Sequence, residues 1–174
     1  MLFRSRAWWQ RRQETYPPDA YRMTFTANHD SNSWHGSCAE FYGSVDCFKA
    51  MAVLAALLPG MPLIYGGQES FLNRRLAFFE CDPIRWGDLA LADFYAELLA
   101  LKRKHPALAN GQMGGTLTWR DTSQPAVLGF ARQRGQDRLE VLVNLGPQAQ
   151  QAQLADGTAV HLAGWGWHIQ GAQR

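Results

Sequence analysis

The chain has 174 residues, a formal charge of +2, 47% hydrophobic and 18% charged residues, an ordinary composition for a soluble protein and a length for one or two small domains. So small a charge makes no case for nucleic acid or an anionic membrane as partner, and no apolar run reaches the ~20 residues of a membrane span. Arg4, Arg6, Arg11 and Arg12 interrupt the apolar core that a signal peptide would need. The cysteines, Cys38, Cys47 and Cys81, are odd in number and lack metal-type spacing to a neighbouring His or Cys, so all three read as structural.

Residues 7–15, with Trp8-Trp9 followed by Gln and Arg, read as a helix that Pro17-Pro18 ends. Glu14 and Asp19 sit in this polar stretch without motif context and read as solvated. Residues 21–26 hold aromatic, β-branched and large apolar side chains without Gly or Pro and read as a strand. Asn28, His29 and Asp30 fall just past its C-terminal end. Two readings are open from these residues alone. One is a polar turn that caps the next helix. The other is a corner for sugar chemistry, at the strand end where a parallel α/β barrel gathers its active site. There a carboxylate orients hydroxyls and favours positive charge at an anomeric carbon, and an imidazole donates to a hydroxyl.

Ser44 precedes Val45, Phe48, Met51, Ala52, Ala55 and Leu58, an apolar stripe at helical spacing with Ser44 as N-cap and Pro59-Gly60 as the stop. Residues 61–65 are a short apolar run with Pro62 near the start and Gly66-Gly67 at the end, the pattern of a buried parallel strand. The two strands and the helix between them predict one βαβ unit. Glu69 either points at a barrel mouth or is a structural acceptor, and the residues favour the acceptor. Residues 71–89 lack periodicity and read as a long rim or lid. A helix is expected from about Asp88, with Leu91, Phe94, Tyr95, Leu98 and Leu101 on one side and Lys102, Arg103 and Lys104 in its last turn; Pro106 ends it. Beyond it the texture becomes β: residues 116–120, 126–134, 138–145 and 148–154 read as strands, followed by 160–162 and 167–170, with Gly135-Gln136-Asp137 as a hairpin turn. Leu139, Val141, Val143 and Leu145 alternate, which predicts one buried face.

Phe25-Thr26-Ala27-Asn28-His29-Asp30, followed by Gly60-Met61-Pro62-Leu63-Ile64-Tyr65-Gly66-Gly67-Gln68-Glu69, resembles the strand-seven and strand-eight regions of glycoside hydrolase family 13, the α-amylase family. Asn73-Arg74-Arg75 through Phe78-Phe79-Glu80-Cys81-Asp82-Pro83-Ile84-Arg85-Trp86 is similar to the loop after strand eight in bacterial maltodextrin-degrading members. The resemblance implies an α/β region, the last two β/α units of a (β/α)8 TIM barrel over residues 1–106, and a small antiparallel β-sandwich over residues 107–174. Asp30 would be the carboxylate that stabilises an oxocarbenium-like transition state. His29 would bind sugar hydroxyls and Asn28 would support the corner. Trp34 and Trp86 would line a subsite by stacking, against the reading from the residues, which favours buried or capping aromatics at both.

In the family the nucleophilic Asp and the acid/base Glu precede this corner, and a whole barrel needs roughly 250 residues. The resemblance therefore implies the C-terminal fragment of a longer retaining glycosidase acting on α-1,4-glucans or maltodextrins, with the missing N-terminal part of the same enzyme as partner. The chain alone is expected to be inactive, and poorly soluble or oligomeric through open strand edges. Met1-Leu2-Phe3-Arg4-Ser5 reads as a translated sequencing-adapter end or as a natural start in a degenerate gene. No cofactor or metal site is identified, and calcium is left open for the intact parent. The alternatives are a non-catalytic carbohydrate-binding or structural module, with Trp119, Trp165 and Trp167 as stacking rings in place of the favoured core packing, and a non-catalytic relative that partners a membrane transporter.

Overall fold

A computed structural model describes residues 6, 7, 9–11, 15–17 and 19–172. Met1 to Ser5 and Glu14, and much of the helix expected over residues 7–15, lie outside the described residues.

Strand β1 (Met23–Phe25) pairs in parallel with β2 (Met61–Leu63), Thr24 opposite Pro62. Gly60, at φ 154°, makes this approach feasible, since a Cβ there would stand 2.8 Å from Thr24 Cγ2 and 2.9 Å from the Arg22 carbonyl. Three helices, not one, connect the strands: α1 (His29–Trp34), α2 (Cys38–Tyr42) and α3 (Val45–Leu57). The two short ones begin with capping boxes, Asn28 with Ser31 and Ser37 with Glu40. Gly43, in the left-handed region, ends α2, and the Ser44 side chain caps α3 as expected by accepting from the Cys47 amide.

The segment after β2 makes one 3-10 turn at Gln68–Ser70 and then runs irregularly to helix α4 (Ala92–Lys104). This helix begins later than Asp88. The Leu91 amide donates to the Glu69 carbonyl at 2.7 Å and the Leu91 side chain is buried, so the chain is pinned there before it turns helical. Lys102, Arg103 and Lys104 occupy the last turn, where cations suit the helix dipole.

The remaining strands are β3 (Thr116–Arg120), β4 (Val127–Arg134), β5 (Asp137–Asn144), β6 (Gln150–Gln153), β7 (Ala159–Leu162) and β8 (Trp167–Ala172). They form an antiparallel four-stranded sheet in the order β3-β4-β5-β8, and β6 and β7 form a separate antiparallel pair. Arg134 pairs with Asp137 across a two-residue turn in which Gly135 takes φ 59°. Both faces of β5 are buried, where the sequence pattern predicts one. Leu139, Val141 and Val143 face helices α3 and α4, packing with Phe130, Ala50, Val53, Leu57 and Leu98. Leu142 packs on the other side with Val127 and the β6–β7 residues Ala152, Leu154, Val160 and Leu162. Polar groups on that second face are satisfied: Glu140 accepts from the Ala155 amide, and the Asn144 amide donates to the Gln148 and Ala163 carbonyls.

Two buried polar contacts lock the helices to the sheet. Arg132, fully buried on the helix-facing side of β4, donates to the Leu57 carbonyl at the end of α3 (2.8 Å) and to the Gly115 carbonyl (3.2 Å). Burial pushes its guanidinium down to about 10, and the negative end of α3 offsets part of that cost. At the end of α4, Asp137 lies 2.7 Å from His105 Nδ1 and accepts from the Ala107 amide at 2.7 Å.

Arg132→Met should keep the volume but orphan both carbonyls, with a cost of about 3 kcal/mol in urea unfolding. A loss below 1 kcal/mol would show that the contact is dispensable. Burial raises the Asp137 carboxyl, but the His105 and Ala107 hydrogen bonds outweigh it and hold its pKa below the ordinary aspartate value. A depressed carboxylate pKa gives stability that is present above the unfolded value and lost as pH falls through the folded one. Asp137→Asn should therefore be less stable than the parent by about 2 kcal/mol at pH 6, and the gap should narrow on acidification below the ordinary aspartate range. A gap that does not depend on pH would refute the linkage.

Candidate functional site

The site is built on the exit of β1. Thr26, just past the strand, is held from both sides: its carbonyl accepts from the Tyr42 hydroxyl (2.8 Å), and its hydroxyl oxygen accepts from the buried Gln68 amide (3.0 Å). Gln68 in turn accepts from the Tyr95 hydroxyl at 2.9 Å. Burial raises both tyrosine pKa values, so each hydroxyl stays a proton donor. The chain then turns at Asn28, whose side chain accepts from the Ser31 amide while the Ser31 hydroxyl accepts from the Asn28 amide, each at 2.8 Å. Asn28 is thus the helix cap that the residues alone leave open, and it fixes the direction in which His29 and Asp30 leave the strand.

The His29 and Asp30 side chains are 68% and 58% exposed, with His29 Nε2 3.7 Å from Asp30 Oδ1. A carboxylate and an imidazole therefore stand side by side, open to solvent, at the C-terminal end of a strand in a parallel pair.

The loop after β2 is fastened onto α1 and α2. The buried Asn32 side chain accepts from the Leu76 amide (2.7 Å) and donates to the Arg74 carbonyl (3.2 Å), and Ser33 donates to the Leu76 carbonyl (2.8 Å). The Ser37 hydroxyl meets Asn73 Oδ1 at 3.0 Å and Arg75 pairs with Glu40 at 2.9 Å. Within the loop Asp82 accepts from the Ala77 amide and pairs with Arg74 at 2.7 Å, contacts that hold its carboxyl below the usual range. The latch carries Phe78 over the corner, with ring centroids 5.6 Å from both His29 and Trp34.

Trp34 and Trp86 are both exposed, contrary to the expectation of buried or capping rings, because neither lies against a core layer. Trp34 joins His29 through Phe78. Trp86 is placed elsewhere, against the Gly66 turn, with its carbonyl accepting from the Ser70 hydroxyl. Glu69 accepts from the Gly67 amide at 3.2 Å, the structural role favoured for it. Trp119, Trp165 and Trp167 pack on the helix–sheet core, which is the packing role. Cys38 and Cys47 are buried and free, burial pushing the Cys38 thiol up to about 11, whereas Cys81 is exposed and so has no packing role. Among the described residues no group of three or more His, Cys, Asp or Glu side chains is gathered. No helix among the described residues is long and apolar enough to cross a membrane.

Sequence reasoning misses Asn32, Gln68, Phe78 and Phe79. The first two act through partners 42 or 44 residues away, for which no local pattern exists. The two phenylalanines are visible only as an apolar pair in a polar loop.

No family model matches the chain. It is 28% identical over 147 residues to the α-amylase MalA of Haloarcula japonica and 25% identical over 137 residues to α-amylase 2 of Dictyoglomus thermophilum, matches that take in 82% and 71% of this chain. The chain spans about a fifth of the length of these curated relatives, 21% and 22%. In fold it is similar to an α-amylase from Lactobacillus plantarum, with a TM-score of 0.80 and 16% identity over 99% of this chain and 43% of that one. It is also similar to a cyclic α-maltosyl-(1→6)-maltose hydrolase from Arthrobacter globiformis in complex with maltose, at a TM-score of 0.74 and 19% identity over 95% of this chain and 39% of the other. The resemblance to the α-amylase family carried by the two strand-end motifs thus extends along the chain.

Asn32→Ala should release the latch. Losing two buried hydrogen bonds costs about 2 kcal/mol, and amide exchange over residues 73–82 should quicken at least tenfold. Unchanged exchange there would mean that Ser33 and Glu40 hold the loop without it.

Proposed function

We propose that this chain, which shares sequence and fold with α-amylase-family hydrolases, is the C-terminal part of a retaining glycoside hydrolase that acts on α-1,4-glucans or maltodextrins. In this reading residues 1–106 are the end of a (β/α)8 barrel and residues 107–174 a β-sandwich that closes the chain. The observation that carries the proposal is the solvent-facing His29–Asp30 pair at the C-terminal end of β1, beside a parallel neighbour, where a barrel places its chemistry.

Retaining hydrolysis needs one carboxyl group to attack the anomeric carbon and another to protonate the leaving oxygen. Neither role falls on a residue of this chain. Asp30 is the third carboxylate: it faces the sugar ring as positive charge builds on the anomeric carbon and ring oxygen, and stabilises that charge more than the neutral ground state. His29 donates to a hydroxyl of the same sugar and fixes its orientation. Asn28 braces the turn that aims both. Trp34 and Trp86 offer ring faces to neighbouring sugar units. Maltose in the Arthrobacter globiformis complex gives the substrate class its support.

In the complete gene product, Asp30→Asn should lower kcat about 10²-fold or more with a smaller change in KM, measured by release of reducing ends from maltoheptaose. The 174-residue chain alone should stay at blank rates in the same assay. A full-rate Asp30→Asn enzyme would remove Asp30 from the chemistry, and turnover by the chain alone would overturn the division of roles.

A further inference from the structure

Single exposed apolar rings are ordinary on protein surfaces; a connected series of rings joined to a polar corner is not. Phe79 is 85% exposed and Trp34 60%. The two are linked through Phe78, whose centroid lies 4.6 Å from Phe79 at 75° and 5.6 Å from Trp34 at 43°. Phe78 also covers His29, at 5.6 Å and 33°. The series therefore starts at the imidazole next to Asp30 and ends in solvent.

We propose that Phe79, backed by Phe78 and Trp34, is a platform for the apolar face of a glucose unit in an oligosaccharide that also reaches the His29–Asp30 corner. The chemistry follows from the ring quadrupole. The face of an aromatic ring is negative, and one face of a pyranose presents a set of axial C–H bonds, which are weakly positive and shed water readily. The rim of the same sugar carries hydroxyls, for which His29 and Asp30 are the nearby polar partners. The rings divide the work. Phe78 is half-buried between His29 and Trp34 and acts as a support, whereas Phe79 lies nearly perpendicular to it and is open to solvent. The platform is pre-organised, because Asn32, Ser33 and the Arg74–Asp82 pair anchor the loop on both sides of the bend that leads to Phe79. A ring held in place before binding loses less entropy on contact than one on a free loop. The identification of the sugar as an α-linked glucan rests on the function proposed above; the platform itself rests on these side chains.

The test is titration of the purified chain with maltotetraose and, separately, cellotetraose, followed by saturation-transfer NMR. Maltotetraose should bind, Phe79→Ala should weaken it at least fivefold, and Phe79→Trp should restore it. Because Phe79 is so exposed, its melting temperature should not move in Phe79→Ala, which separates a binding loss from misfolding. Maltotetraose bound equally well by Phe79→Ala, or not bound at all by the parent chain, would overturn the platform. Phe79-dependent binding of cellotetraose in place of maltotetraose would uphold the platform and overturn the α-glucan reading. If Phe79→Ala dissociates an oligomer in sedimentation and leaves sugar binding intact, the ring belongs to a protein contact and the proposal falls.

Discussion

Helix α3 is the element on which the rest of the structure depends, because it is buried on two sides by two different neighbours. Phe48 and Ala52 look toward the strand-end side, where they pack with Ala27, Cys38, Leu91 and Tyr95. Ala50, Val53, Ala56 and Leu57 look toward the sheet and meet Phe130, Val141 and Val143. The small residues let both neighbours approach closely, and each large one fills a gap on its own side. A helix in this position transmits order: the four-stranded sheet fixes α3, and Thr24, donating to the Ala55 carbonyl at 2.6 Å, ties β1 to it. The placement of the His29–Asp30 corner is therefore set in part by a β-sheet that contributes no residue to it.

The same logic explains why a charge is buried at the end of α3. The last carbonyls of a helix lack intrahelical partners, and at an apolar interface they would be left without water. Arg132 supplies donors there from the sheet, so that one side chain both satisfies the helix end and joins two layers. Lys102, whose pKa burial and the neighbouring Arg132 charge bring down to about 8, does similar work for the Leu108 carbonyl at 2.5 Å. Cations are suited to this task because each brings several donors to one place.

Much of this was legible in the sequence where the cause is local. Ser44, the apolar stripe behind it and Pro59-Gly60 set the limits of α3, and the alternation of Leu139, Val141 and Val143 marks β5. Helix α2 was also within reach, since Ser37-Cys38-Ala39-Glu40 has the spacing of a capping box. Helix α1 was harder, because its cap pairs Asn28 with Ser31 and the helix then ends after six residues. The second buried face of β5 could not be read from β5. It exists because β6, which carries glutamines at three of its four positions, and the short β7 fold back over Leu142, and only that return makes Glu140 and Asn144 interior residues. The candidate corner follows the same division. Its three polar residues announce themselves by order and position, but the latch through Asn32 and the ring that covers His29 are products of tertiary approach.

The exposure of the corner bears on how its chemistry works. A carboxylate 4 Å from a unit positive charge gains about 1 kcal/mol in bulk water and about 4 kcal/mol at an effective dielectric constant near 20. In the proposed role, Asp30 stabilises charge that builds on a sugar ring, and with its side chain more than half in solvent it stands close to the weaker of these limits. What raises its effect is exclusion of water by whatever surrounds the sugar. The aromatic loop covers one side, through Phe78 on His29. In the proposed role the opposite side is left to the rest of the longer enzyme or to the substrate itself. On this view Asn28, Thr26 and Gln68 act before any substrate arrives, by fixing the direction of the carboxylate, and the strength of its interaction is decided afterwards by how completely the site closes around it.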